Sequence, residues 1–507
     1  MSAHSVRWAH IEREDASVRS FSVRRGRAAR LLGPVILLGV LVGLRLPWLH
    51  APLVTQDEGI IVLYAQQILD GRLPQRDFYT VYGPGAFGLT AAAFAMFGSS
   101  LVVERLVGLA MQTLVVEGVY LLARGRGCGR AAALGASIVS VLCLTPLGLA
   151  AYAWVAGLSC IVWGLVLLHR RTHVAAAFAL LAMSAIFRPE MVVPALAAGL
   201  PYLGSRSARR GAVMGLALGM LPSAVFYATW GRRAFDNVVL QRGQVNARME
   251  VDGLVAVILC LAAATVLVLL ASAVRARGAH AWSSLFLVAL MLPQLLQRTD
   301  LDHLAYSMGL SAPLVLLAQF GPHMPRRRWP LLIARAAFVV VLALLIVPTR
   351  VLALPGPSAT FEVAGRTLEV PLDEAAAIDD LRKSVLETVP VGSTVFIGTQ
   401  DMRAPSVTPV QLYFLLPELE ADAYYLEMPI GISPTVGARL ADDVRSADVL
   451  LLSAFPAELS RRLTPFVRFG PSTADEVVRA EFCPAGGSAD LRIMVRCATA
   501  DGGLPHG

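Results

Sequence analysis

Charge is scarce in this sequence: 16% of its 507 residues are Asp, Glu, Lys or Arg, while 56% are apolar. Soluble domains carry roughly a quarter charged residues. Together with a mean hydropathy of +0.62, this shortage excludes an ordinary soluble protein, a disordered chain and a collagen-like repeat, and leaves an integral membrane protein. Cysteine is scarce as well, and six in 507 residues cannot form the framework of a disulfide scaffold. Lysine is almost missing, Lys383 being the single one among 44 basic residues. That skew reads as the codon bias of a GC-rich genome and lowers the weight any one arginine carries as a functional signal. Neither GxGxxG nor GxxxxGK[ST] accompanies the first strand of the C-terminal region, so a nucleotide site has no sequence support.

What charge there is divides unevenly. Residues 354–507 hold 12 basic and 21 acidic side chains, residues 1–353 hold 32 and 15. The basic residues fall in short runs between apolar stretches, not on one soluble face, which excludes nucleic acid as a partner. Apolar segments long enough for a helical span start at residues 31, 101, 131, 151, 173, 190, 211, 252, 281, 303 and 331, eleven in all. Arginine-rich runs at 7–30, 124–130, 170–171, 206–210, 275–277 and 326–328 mark the cytoplasmic side by the positive-inside rule. The parity closes if the 14-residue stretch 85–98 lies along the outer surface instead of crossing. Most acids then gather at the outer face, and Glu117 alone is left inside a span. The expected organisation is a basic cytoplasmic segment 1–30, a transmembrane domain 31–353 and an extracytoplasmic α/β domain 354–507. No cleavage pattern follows the first span, so it reads as an uncleaved anchor with a cytoplasmic N-terminus.

In the C-terminal region the patterns predict strands at 394–399, 423–428 and 448–453 and helices at 406–416 and 435–446. Cys483 and Cys497 lie in an apparent two-strand segment, where a disulfide is the hypothesis. Cys128, Cys143, Cys160 and Cys260 read as packing thiols.

The loop from Leu49 to Pro84 is the most informative. It places Asp57 and Glu58 at the membrane lip and predicts a helix over 58–69, amphipathic enough to lie on the bilayer and roof a pocket, ended by Gly71. Asp57 is equally suited to an N-cap. Arg45 near the end of the first span is a phosphate ligand or a snorkelling side chain. Arg188 and Glu190 are site residues or a self-paired tight turn. Arg298, Asp300, Asp302 and His303 are site residues or a solvated loop, and acid–histidine clusters also hold metals. Tyr79 and Tyr82 stack on a sugar or anchor the loop at the interface. The stretch 231–251 is a mobile cover or interfacial packing.

An Arg near the end of the first span, then Asp-Glu-Gly, then AQQILDGRLPQRDFYTVYGPG, Phe97-Gly98 and Glu104-Arg105 resemble the first external loop of GT-C fold membrane glycosyltransferases. The closer resemblance is to the family 39-like group, which holds protein O-mannosyltransferases and aminoarabinose transferases. Arg188-Pro189-Glu190 and Arg298-Thr299-Asp300 with His303 resemble weaker motifs of bacterial relatives. The resemblance implies an all-α polytopic GT-C domain of about eleven transmembrane helices with interfacial helices in the first external loop, followed by a small α/β domain. It implies a bacterial plasma-membrane enzyme that takes a sugar from a polyprenyl-phosphate donor to an extracytoplasmic glycan, lipid or protein hydroxyl with inversion. Asp57 is then the general base, with Glu58 beside it. Arg45, Arg188 and Arg298 hold the leaving phosphate, and Asp77, Tyr79, Tyr82, Glu190, Asp300, Asp302 and His303 orient substrate or loop. Two departures bear on substrate and metal. The second external loop, Thr145 to Trp154, has no acid, which withholds support from a divalent cation, and Gly83 stands where aminoarabinose transferases have Lys before the loop Pro. A flippase of lipid-linked sugars would need midplane charges and internal repeats, which are not apparent. A non-catalytic glycan-binding protein would work through its C-terminal domain.

Overall fold

The computed structural model describes residues 39, 43–53, 56–170, 173–240, 267, 269–271, 274, 278–291, 308–314, 317, 355–403, 408–427, 434–454, 470–488 and 490–497. Residues 43–49 are helical. Then come α1 (Gln56–Leu69), α2 (Gly85–Phe97), α3 (Leu101–Gly125), α4 (Arg130–Leu144), α5 (Ala153–His169), α6 (Val174–Phe187), α7 (Val192–Gly199), α8 (Arg206–Phe235) and α9 (Ala279–Met291), and residues 308–314 are helical too. The helices Leu101–Gly125, Arg130–Leu147 and Arg206–Leu240 are long and apolar enough to cross a membrane.

Helix α3 starts where Ser100 accepts the Val103 N–H at 3.1 Å, an N-cap bond. Helix α8 is capped the same way, Ser205 accepting from Ala208 at 3.1 Å. Small residues set how closely the helices pack. Gly211, Gly215 and Gly219 form a stripe at i, i+4 spacing on α8, and a Cβ at Gly215 or Gly219 would run into the carbonyl of Ala175 or Ala179 on α6. Close approach of this kind is what small residues allow between apolar helices.

Two expectations need correction and one is refined. The helix 58–69 does not lie on the surface. Residues Glu58 to Gln67 of α1 are all buried, because the helix is covered by α2, α3 and the C-terminal region. The span expected from residue 190 is helical over 189–202, the eight-residue α7 running directly out of and into 3-10 turns at Pro189–Met191 and Leu200–Tyr202, where prolines 189, 194 and 201 interrupt regular α geometry. The loop expected over 231–251 begins as helix, α8 bending at Gly231 (φ 55°) and continuing into a π-helical turn, Asp236–Leu240; residues 241–251 lie outside the described residues. Helix α2 is 13 residues long, roughly 20 Å against a hydrocarbon core of about 30 Å. Its uncovered face carries Leu89, Met96 and Phe97, the last 72% exposed.

After residue 355 come β1 (Ser358–Val363), β2 (Arg366–Pro371), α10 (Ala375–Thr388), β3 (Val395–Thr399), α11 (Gln411–Leu415), α12 (Pro434–Ser446), β4 (Val449–Ser453), α13 (Thr473–Glu481), β5 (Phe482–Gly487) and β6 (Leu491–Arg496). The sheet order is β3-β4-β6-β5, with β3 and β4 parallel and the other pairs antiparallel. Strands β3 and β4 read as continuous apolar runs because the crossover through α12 buries them. A separate hairpin, β1-β2, turns through Ala364 and Gly365, both at positive φ. It docks on the helical part, the Thr367 N–H donating to the Ser99 carbonyl at 3.0 Å and the Leu53 N–H to that of Glu369 at 2.8 Å. The strand expected at 423–428 is absent from the described residues 423–427. Its backbone is used elsewhere: Asp443 accepts the N–H groups of Tyr424 and Tyr425, and the Tyr424 carbonyl accepts the Tyr79 N–H at 2.7 Å. Cys483 and Cys497 form a disulfide. Cys128 and Cys143 are buried free thiols and Cys160 a half-buried one; Cys260 lies outside the described residues.

Candidate active site at the first-loop helix

Asp57 stands in the first turn of α1, inside the helix and so not its N-cap, where the helix dipole favours its anion. Glu58 turns the other way and is buried in a fork-to-fork pair with Arg105 of α3, Nε to Oε1 at 2.7 Å and Nη2 to Oε2 at 3.0 Å. The remaining donors of Arg105 go to the backbone carbonyls of Trp48, Leu49, Ala51 and Pro52. One guanidinium thus ties the entry of the first loop to the start of α1 and fixes where Asp57 emerges.

Arg45 is 3% exposed. Its Nη2 donates to Thr145 Oγ1 at 2.8 Å, while its buried Nη1 has no hydrogen-bond partner among the described residues. The segment it touches, Thr145 to Trp154, carries no acid of its own, but α3 supplies one: the Glu104 Oε1 accepts the Ala151 N–H at 2.5 Å. Gly108, one turn further, lies against the Leu149 and Ala150 backbone, with no space for a Cβ.

Arg188 extends from the end of α6 with 7% exposure. It donates to Glu190 at 2.7 Å, and its guanidinium lies 4.5 Å from the ring centre of Trp154 and 5.9 Å from that of Tyr82. Gly83 and Gly85 press on Ile186 and Phe187, leaving no room for side chains there. First loop, second loop and Arg188 turn therefore meet at one place.

The rest of the first loop is shaped by its own charges. Asp77 accepts from Arg76 at 2.8 Å and from the Leu73 N–H at 2.8 Å, and the Arg76 guanidinium holds its carboxyl below the usual aspartate range. Arg72 donates to the carbonyls of Asp77, Ala421 and Asp422, joining loop and C-terminal region. Tyr79 is fully buried against Tyr425, ring centres 5.1 Å apart, and packs inside the fold. Its cover is the irregular segment 421–427, whose Glu427 reaches α1 and accepts a hydrogen bond from the Tyr64 hydroxyl at 2.8 Å. Burial pushes the Glu427 carboxyl up to about 8; the Tyr64 bond opposes the rise and the charge of Asp57 adds to it.

Asp57, Glu58, Asp77, Tyr79 and Tyr82 are thus gathered around α1, and Arg188 with Glu190 borders Tyr82. Arg45 sits on the neighbouring second loop. Arg298, Asp300, Asp302 and His303 lie outside the described residues. Among the described residues no group of three or more His, Cys, Asp or Glu could hold a metal.

No protein-family profile and no curated protein matches the sequence. Solved structures do. ArnT from Cupriavidus metallidurans bound to undecaprenyl phosphate superposes with a TM-score of 0.51 at 14% identity, over 93% of this chain and 99% of that one. The fold is GT-C. The same ArnT in the apo state gives 0.50 at 12% identity, over 92% and 98% of the two chains. An oligosaccharyltransferase from Archaeoglobus fulgidus gives 0.47 at 13% identity, over 83% and 68%. Within this GT-C architecture, sequence reasoning passed over Arg105 as the clamp of Glu58, Trp154 under Arg188, and Glu427. The first two stood in quoted stretches without a partner to point to. Glu427 follows Asp57 by 370 residues, and nothing local marks it.

Proposed function

We propose that this chain is a membrane glycosyltransferase that moves a sugar from a polyprenyl-phosphate donor to an extracytoplasmic hydroxyl, inverting the anomeric centre. The carrying observation is Arg45, a buried guanidinium whose Nη1 has no partner among the described residues. A buried cationic donor left unmet is costly, and a phosphate oxygen arriving from the bilayer would meet it. The GT-C fold shared with an ArnT bound to undecaprenyl phosphate supports the same class of lipid.

In this reading the acceptor oxygen attacks the anomeric carbon while its proton passes to the Asp57 carboxylate. The bond from that carbon to the phosphate oxygen breaks, and its electron pair leaves with the phosphate. Arg45, Arg188 and Arg298 neutralise the charge that builds there, and their planar forks suit phosphate geometry. Glu58 acts as a positioning residue through Arg105. Chemistry of this kind needs no nucleotide, consistent with the missing nucleotide motifs. This reading puts the protein in a bacterial plasma membrane with its N-terminus cytoplasmic, the transmembrane part over 31–353 and an extracytoplasmic part over 354–507.

The test is lipid profiling in a deletion strain. A polyprenyl-phosphate sugar should accumulate and disappear on complementation with the wild-type gene but not with Asp57→Asn. Complementation by Asp57→Asn, or an unchanged lipid pool in the deletion strain, would refute the reading.

A further inference from the structure

Glu427 lies in the stretch expected to be a strand at 423–428 and is given no role by the motifs above, yet its carboxyl is buried against the helix that bears Asp57. Tyr64, its hydrogen-bond donor, follows Asp57 by seven residues. Two helical turns bring side chains back to the same face, so Asp57, Tyr64 and Glu427 share one side of α1. Among the described residues, the groups acting on Glu427 are Tyr64 and Asp57, both from α1. From the first loop, Tyr79 feels Glu427 in turn. The nearby cations Arg233 and Arg439 act on Tyr424 and Tyr425.

Two carboxyl groups that feel each other's charge in dry surroundings, as Glu427 feels that of Asp57, do not both ionise readily. Asp57 is only partly buried and stands at a helix N-terminus, which favours its anion. Glu427 is enclosed and has no cation acting on it among the described residues, which favours its neutral form.

We infer that Glu427 is a positioning residue for Asp57: held by Tyr64 as a neutral carboxylic acid, it closes the C-terminal region onto α1 while leaving Asp57 the charged member of the pair. The inference rests on the reading of Asp57 as base. Its consequence has a definite sign. As pH rises through about 8, Glu427 ionises, and the uncompensated charge in its enclosed site loosens the closure of the C-terminal region onto α1, so transfer falls on the alkaline side. The Tyr64 bond holds the Glu427 carboxyl lower than burial alone would, so removing that hydroxyl moves the fall to higher pH.

The experiment uses the full chain in proteoliposomes, with lipid extract from the deletion strain as donor and polyprenyl phosphate release as readout, from about pH 6.5 to about pH 9.5. Wild-type release is expected to drop roughly tenfold per pH unit above the midpoint. Glu427→Gln, which keeps a neutral group at that position, is expected to lose the alkaline fall, and Tyr64→Phe to shift the fall upward. A Glu427→Gln variant that falls at the wild-type midpoint, or a Tyr64→Phe limb that does not move, overturns the role of Glu427 and leaves the base assignment standing. Wild-type turnover by Asp57→Asn overturns the base assignment and this inference with it.

Discussion

Arg105 and Arg45 are both buried guanidiniums, and their partners separate their roles. Arg105 satisfies Glu58 and four backbone carbonyls. Removing it strands a buried carboxylate, for which the expected cost is about 3–5 kcal/mol. Arg105→Ala should therefore lower the melting temperature of the detergent-solubilised protein, and Arg105→Lys should rescue little of it, since an ammonium cannot reproduce the fork. Arg45, with one hydrogen bond and an unmet Nη1, should behave in the opposite way. Arg45→Lys should leave the melt nearly unchanged but slow polyprenyl phosphate release by roughly 10²–10³-fold, the scale of losing one donor to developing charge. At this scale the sequence was legible in part. Asp57-Glu58 and Arg188-Pro189-Glu190 stood out because each packs several charges into a few residues of an apolar chain. What the sequence did not show was that Glu58 faces away toward Arg105, since adjacent helical positions point about 100° apart and only a partner 47 residues later decides which carboxylate is engaged.

The elements meet through glycines. Gly108 places α3 against the Leu149 carbonyl, and Gly83 places the first loop against that of Ile186. A side chain at either position pushes a loop off its support. Gly108→Val should lower turnover at least as much as it lowers stability, because it displaces the second loop that Arg45 and Glu104 both hold; activity and melting measured on the same preparation check this. Apolar runs gave α3, α5, α6, β3 and β4 their places, because buried elements are written in continuous hydrophobicity. The same logic misplaced α1. Its face of Gln66, Gln67 and Asp70 read as a surface helix, yet Gln66 is buried, donating to Asp70 at 2.9 Å and accepting from Ser99 at 2.6 Å, so polarity served packing between elements. The segment 423–427 was misread as a strand for a related reason: its aromatic run fits a sheet, but the Asp443 carboxylate takes the Tyr424 and Tyr425 N–H groups that a ladder would need.

The molecule as a whole is a GT-C helical body closed on one side by a sheet-bearing C-terminal region, and the contact between them passes directly over α1. Arg72, Tyr79 and Tyr64 each bond to the segment 421–427, so the two parts fold as interdependent units. Glu427 makes that dependence pH-sensitive. Its carboxyl is raised from 4.5 to about 8 in the folded chain, so the stability its proton confers is fully present below 4.5 and is lost as pH rises to about 8. Over that window the folded chain holds a proton that the unfolded one releases, an erosion of about 1.4 kcal/mol per pH unit. Melting of wild type against Glu427→Gln should accordingly show a gap that widens from acid to about pH 8 and then stays constant. The central claim is nonetheless catalytic, and it is tested most directly by the release of polyprenyl phosphate from lipid-linked sugar by the purified full chain. Wild type should turn the donor over and Asp57→Asn, equally stable, should not; equal release by both would contradict the account.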